Sequence, residues 1–404
     1  MMVAEGTREG ISRPVVNLHV HVPPNFSAFD DAEDVVATAA NEGVRVVGAS
    51  NFHDVRVYGR FAQAAGAAGV MPLFGVEYIT VVEPLRAAGT RVNDPANPGR
   101  LYLCGKGVDP FRRLSGAAAR IDAEARAANR ARAARMADLL REHFAAGGVP
   151  TELDDSAIAA DVAARAGVPA DWVVLQERHL ARAFQQALFA SFGVVDRASR
   201  LEAVFGAPLT AAPDDAIAVQ GEIRSRLMKA GGPAFVEESA MSLRDGVDLV
   251  LAWDGIPSYP TLADGASPVC PFEDGPDELA ARLLELGLHA AELIPARNAP
   301  QTVDAYVRAF GAAGIIVTAG TEHNTPDRIP LEPRARGGAP ISDAARAAFY
   351  EGACVVAGHQ LERARGRDGF VDADGRLGSD DLAARIRRYA DIGAAAIETR
   401  SLVL

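Results

Sequence analysis

Apolar and polar positions repeat in a regular order along the first eighty residues. Residues 15–22 (VVNLHVHV) form an apolar run that turns polar at its end, which predicts a buried strand. Asp30 and Asp31 then open DAEDVVATAANEG, where apolar and small positions recur at helical spacing until Gly43 stops the helix. VRVVGAS (44–50) predicts a second strand, residues 58–69 a second helix, and VMPLFGVEYITVV (70–82) a third strand. Strands alternating with helices of this length predict βαβ units and a parallel sheet.

The alternation breaks after Glu83, and residues 84–99 are polar and rich in turn formers. LYLC (101–104) is a short strand candidate. Residues 117–144, dense in Ala and Arg, carry the longest helical pattern, and helices follow near 154–166, 176–191 and 197–205. This all-helical stretch reads as an insertion into a barrel, with residues 206–218 as its exit. Past it, 219–230 predicts a helix, and PAFVEE (233–238) precedes a strong strand candidate, VDLVLAW (247–253). Helix 276–287, strand LHAAELI (288–294), helix 301–313 and strand GIIVTAG (314–320) restore the alternation; ACVVAG (353–358) and AAAIE (394–398) are late strand candidates. The expected division is barrel over 14–105, helical insertion over 106–218, and the rest of the barrel with C-terminal elements over 219–404.

Composition narrows the function classes. The 404 residues are 49% hydrophobic and 23% charged, enough for a large core, and the formal net charge is −12. The densest basic stretch, 117–141, interleaves Arg with Ala, Asp and Glu, so it reads as a solvated helix face and disfavours a nucleic-acid groove. The three cysteines, Cys104, Cys270 and Cys354, stand far apart without disulfide or thiolate-zinc spacing, which favours a reducing, cytoplasmic setting. No signal peptide is expected from the opening MMVAEGTREGISRPVV, and no membrane-spanning run follows. P-loop, dinucleotide and serine-elbow motifs are absent.

His19 and His21 stand two apart at a strand end, so period two turns both imidazoles to one face, where one or two divalent ions could sit. Asn51, His53 and Asp54 follow the second strand, and Glu77 ends LFGVE on the third. Barrel active sites lie at such C-terminal strand ends. In TAGTEHNTPD (318–327), Gly320 permits a sharp turn from which Glu322 and His323 would project, with Asn324 placed to orient a substrate. Arg297 beside Glu292 in ELIPARN, and Lys106 in LYLCGKG, could each hold an anion or form a structural ion pair. His179 in QERHL and His359 in VVAGHQ read as fold histidines by position alone; WDGIPSYP (253–260) reads as a rigid aromatic loop beside the pocket.

Taken together, NLHVH, LFGVE and QERHL resemble motifs of the PHP domain, the polymerase and histidinol phosphatase family, over roughly residues 14–330. That resemblance implies a distorted (β/α)7-type TIM-like barrel with an inserted helical subdomain, and hydrolysis of phosphoesters by up to three metal ions. It gives ligand roles to His19, His21, Glu77 and His179. The chain departs from the family elsewhere. Asn51 and Phe52 stand where an Asp-His pair is usual, with His53 displaced by one residue. Glu322 and Asn324 replace the Asp and His of a late Gly-Ser-Asp-x-His, and Tyr259 precedes Pro260 where a His is usual.

The expectation is therefore one or two divalent ions, zinc or manganese before iron, held by His19, His21, Glu77 and Glu322 with help from His179. Glu322, His323 and His53 are the candidate proton-exchanging groups. Arg297, Lys106 and Asn324 are the candidates for binding a small anionic substrate. A phosphoester hydrolase leads. A metal-assisted lyase, isomerase or non-phosphate hydrolase acting on a carbohydrate-like or carboxylate compound stays open, as does a non-catalytic PHP-like binding protein. Oligomeric state is not legible.

Overall fold

A computed structural model describes residues 13–378 and 381–399; the signal-peptide expectation falls mainly on residues 1–12, outside the described residues. The strands are β1 Val15–Val20, β2 Val44–Phe52, β3 Met71–Val81, β4 Arg100–Lys106, the two-residue β5 Met241–Ser242, β6 Ile256–Thr261, β7 Ala290–Leu293 and β8 Ile316–Ala319. They follow the order β1-β2-β3-β4-β6-β7-β8, with β5 set against β3. Val20 of β1 bridges Glu322 just past β8, so the sheet curls into a nearly closed barrel. The α/β barrel with a helical insertion is thus the architecture the sequence predicts.

β4 is the exception to the expected parallel sheet: it runs antiparallel to both β3 and β6. The chain returns from β3 through residues 82–99 with only the short helix Glu83–Ala87, and a direct return joins strands antiparallel. The register sets Cys104 beside Glu77 and Lys106 beside Gly75, so Lys106 lies deeper in the barrel than the strand-end residues.

Three strand expectations are corrected. VDLVLAW lies in the helix Leu243–Ala252, started by Ser242, whose hydroxyl accepts the Asp245 amide at 3.0 Å. Its buried Gly246, Leu249 and Val250 keep helical spacing. The true strand is β6, drawn from the segment read as a loop because of Pro257 and Pro260. ACVVAG and AAAIE belong to the helices Asp343–Ala364 and Leu382–Thr399. AAAIE is a short window of an amphipathic helix in which Ala395 and Glu398 stay exposed, whereas ACVVAG lies in a helix buried on most sides, whose apolar run mimics a buried strand. Its glycines explain the burial: a Cβ at Gly352 would run into the Val317 carbonyl of β8, and one at Gly358 into the Tyr389 carbonyl of the last helix.

The insertion has its own apolar core, with Leu140, Phe144, Phe184, Leu201 and Ile223 among its buried members. The helix Ala216–Leu227, placed after the insertion by sequence, packs into this second core. Glu177, at the start of the helix Glu177–Ser191, ties the insertion together. Its carboxylate accepts from Arg132 at 2.8 Å, Arg224 at 2.9 Å and Lys229 at 2.6 Å. Burial opposes ionisation there, but Lys229, Arg224 and Arg132 outweigh it and hold the pKa at about 2. A carboxyl depressed in the fold stabilises above its unfolded pKa and loses that contribution as pH falls toward 2. Glu177→Gln is therefore expected to lower unfolding free energy by about 1–3 kcal/mol at pH 7, with a smaller difference at pH 3. Equal losses at both pH values in denaturant titrations would refute the ionic role.

Candidate metal centre

Period two at the end of β1 turns His19 and His21 toward the same space, and Glu77 reaches it from β3. His19 Nε2 and His21 Nε2 stand 3.4 Å apart. Glu77 Oε2 lies 3.3 Å from His21 Nε2 and 3.7 Å from His19 Nε2. Ligands about 2.0–2.2 Å from a shared tetrahedral ion stand roughly 3.3–3.6 Å from one another. Both histidines are buried, and Glu77 is 14% exposed, so the group opens toward solvent only past the carboxylate.

The far ring nitrogens fix the chemistry of the near ones. His19 Nδ1 donates to Glu292 Oε2 at 2.6 Å. His21 Nδ1 faces Asn25 Oδ1 at 3.2 Å, and that oxygen also accepts the Phe52 amide at 2.8 Å, which identifies it as the acceptor. Both Nδ1 atoms therefore carry protons, which leaves both Nε2 atoms, turned toward the Glu77 carboxylate, as the positions open to an ion. This is the orientation that metal-ligating imidazoles take from an outer hydrogen bond. Burial disfavours charge on His21, but Glu77 outweighs it and raises the His21 pKa. Asn51 stands where the resemblance would put an acid; it clamps Val22 instead, accepting its amide at 2.7 Å and donating to its carbonyl at 2.8 Å. That pair of bonds holds the chain directly after His21.

Beneath the group runs a buried ionic chain. Glu292 accepts from His19 and, through Oε1, from Lys106 Nζ at 2.6 Å; Lys106 also donates to the Leu18 carbonyl at 3.0 Å. Burial works against the Glu292 carboxylate, yet Lys106 and His19 hold its pKa at about 2. His19, Cys104 and Glu292 form a second convergent set of ligand-type atoms. Burial keeps the Cys104 thiol protonated and Lys106 already neutralises Glu292, so this set is poorly suited to a cation.

The remaining predicted residues go elsewhere. Lys106 lies under the histidines with its charge committed to Glu292, away from any substrate at the mouth. Glu322 reaches the rim, its backbone bonded to both His19 and His21, but its carboxylate binds Arg297 and the Asn324 amide rather than joining the converging ligands. His323 uses both ring nitrogens structurally: Nε2 donates to the Ile329 carbonyl and Nδ1 accepts from Thr321 Oγ1, each at 2.8 Å. His179 Nδ1 accepts the Gln176 amide at 3.1 Å, so its proton sits on Nε2, a donor and not a metal ligand. His53 takes φ 55° and turns out of the barrel, between Phe52 and Tyr78. Its Nδ1 is buried without a hydrogen-bond partner among the described residues, and burial, then Arg126, lowers its pKa to about 3. It lines a cavity of about 400 Å³ with Phe52, Ile79, Asn129, Arg132 and Glu238. His359 sits in a helix, donating to the Asp254 carbonyl at 2.7 Å. Sequence reasoning assigned no role to Glu292 or Asn25, although an acid inside the apolar run LHAAELI was a signal for the first.

No protein-family model matches the chain, and no curated protein matches it. Among solved structures it is similar to a protein from Bifidobacterium adolescentis assigned as a metal-dependent phosphoesterase, at 17% identity and a TM-score of 0.54 over 84% of this chain and 97% of that one. It is also similar to an amidohydrolase from Chromobacterium violaceum, solved with sulfate and no metal, at 16% identity and a TM-score of 0.50 over 82% and 96% of the two chains. These likenesses establish the fold.

Gly320 shows how closely the site is packed. The positive φ values after β8 fall on Glu322 (60°) and His323 (53°), not on Gly320. Gly320 is needed for close approach, since a Cβ there would run into the His19 side chain. Gly320→Ala is expected to cost about 1–3 kcal/mol of stability and to shift the His19 ring resonances in NMR spectra. Wild-type stability in denaturant would overturn this reading.

Proposed function

We propose that this protein is a metal-dependent hydrolase of small anionic molecules, with a phosphoester as the preferred substrate. One observation supports it most: three ligand atoms converge at 3.3–3.7 Å, and both imidazoles are locked with Nε2 inward. His19, His21 and Glu77 would hold a single divalent ion, zinc or manganese suiting two imidazoles and a carboxylate. Such an ion, when bound, polarises the scissile group and lowers the pKa of water.

The protein's own groups supply the rest. Glu292 and Asn25 hold the two rings in one tautomer and orientation. Glu322 is the proton-exchanging group, since it is the carboxylate at the rim that is bonded to the His19–His21 backbone and remains 12% exposed. Arg297, 42% exposed and paired with Glu322, can turn to a substrate oxyanion, and Asn324 orients the same edge. The likeness to a phosphoesterase agrees with this reading.

A second reading, hydrolysis of an amide or other carboxylate compound, is favoured by the second ligand set. Lys106 already supplies a cation there, and phosphoryl chemistry often uses two metal ions. The likeness to an amidohydrolase points the same way.

Purified protein is expected to retain about one equivalent of zinc or manganese by elemental analysis. His19→Ala and Glu77→Ala should abolish retention and lower hydrolysis of aryl phosphates by at least about 10³-fold. Turnover of amides or lactones with none of phosphoesters would select the second reading; no metal uptake and no thermal shift with either ion would end both. Glu292→Gln is expected to weaken metal affinity by about 10–100-fold in competition with a chelator. Unchanged affinity would mean that Glu292 does not orient His19.

A further inference from the structure

The helix Glu177–Ser191 brings the insertion down onto the barrel mouth. Gln176, at its cap, accepts the Phe26 amide at 2.8 Å through Oε1, and the His179 ring packs edge-on against Phe26 at 5.2 Å. Phe26 lies in the loop that follows His21. The first turn of the helix is therefore seated on the loop that leaves the candidate centre, and Arg178 belongs to that turn.

Arg178 is half-buried, and among the described residues its guanidinium makes no ion pair and no side-chain hydrogen bond. Its electrostatic neighbours are Arg224, Glu322, Arg297 and Glu177. Neither carboxylate is free to serve it. Glu177 is shared by Arg132, Arg224 and Lys229, and Glu322 is engaged by Arg297 and Asn324. Arg178 and Arg297 thus both act on the Glu322 carboxylate, which Arg297 and Asn324 already occupy. Burial, then Arg224, pushes the Arg178 pKa down to about 10, so the side chain stays charged at neutral pH without a counter-ion. A desolvated, unpaired guanidinium is costly, and its planar fork matches an oxyanion.

We infer that Arg178, with Arg297 beside it, forms an oxyanion-binding site at the barrel mouth that takes a phosphate or carboxylate group of the substrate. The identity of that oxyanion as substrate rests on the hydrolase reading; the binding site itself does not. The site makes the helical insertion part of substrate recognition, because the barrel contributes Arg297 and the insertion contributes Arg178. It also gives Glu322 a second task, that of keeping Arg297 in place until an anion competes for it.

The test is calorimetric titration of the full chain with inorganic phosphate, and separately with acetate, in low-salt buffer, on metal-free and on metal-loaded protein. Arg178→Ala is expected to weaken phosphate binding to the metal-free protein by about tenfold or more, with Arg178→Lys losing less. Arg120→Ala, an exposed arginine on the outside of the long helix, serves as the control and should match wild type. Tighter binding of phosphate than acetate assigns a phosphoryl group, and the reverse a carboxylate. Should Arg178→Ala unfold, Arg178→Lys and Arg178→Gln carry the comparison at matched Tm. Phosphate affinity within twofold of wild type in folded Arg178 variants overturns the proposal and leaves the hydrolase reading standing. Arg178-dependent binding in a protein that takes up no metal keeps this site and ends the hydrolase reading.

Discussion

The carboxylate of Glu292 lies inside the barrel with no exposure to solvent. An unpaired ion there would be far too costly to keep, so its partners have to be supplied from within the fold. Lys106 and His19 are those partners, at 2.6 Å each. This requirement shapes what lies above it. It keeps a lysine beneath the strand ends, where an aliphatic side chain would otherwise fill the barrel, and it pins one face of the His19 ring. The opposite nitrogen then points toward His21 and Glu77. The geometry of the candidate centre thus depends on how a buried charge is neutralised one layer down.

The insertion acts on the same centre through electrostatics. Glu177 gathers three cations and fastens the helices Gly116–Ala146, Glu177–Ser191 and Ala216–Leu227 with their neighbouring loop. A carboxylate shared so widely has nothing left for Arg178, its neighbour in sequence. At the rim, Glu322 is likewise engaged by Arg297. Positive charge is left over where the insertion meets the barrel, although the whole chain carries −12. Net charge describes the surface as a whole, while a pocket is governed by the few groups that lack partners.

Parts of this were legible in the chain itself. VVNLHVHV, VRVVGAS and GIIVTAG are strands because apolar runs of that length between turn signals have few alternatives. VDLVLAW, ACVVAG and AAAIE obey the same local rule and are helices: ACVVAG is fully buried and so lacks a polar face, while VDLVLAW and AAAIE are short windows of amphipathic helices whose polar face shows in the flanking turns, at Arg244 and Asp245 and at Arg387, Arg388 and Asp391. Pro257 and Pro260 hid β6, since proline argues against a strand until its neighbours are known. His53 follows β2 by one residue, but a positive φ turns it outward against Tyr78. His179 carries a motif-like sequence, yet a backbone amide takes its Nδ1.

By itself the sequence determined that strands would alternate with helices on either side of an all-helical stretch, and that His19 and His21 would share one face of a strand end. Both follow from short-range periodicity, which the order of residues encodes directly. The tertiary structure decided that Glu292, Lys106 and Asn25 stand behind those histidines, that β4 runs backward, and that Arg178 is left without a partner among the described residues. These depend on which strand lies beside which and in what register, and His19 meets a carboxylate 273 positions away. No local pattern carries that information, because the pairing is settled by the burial of the whole barrel at once.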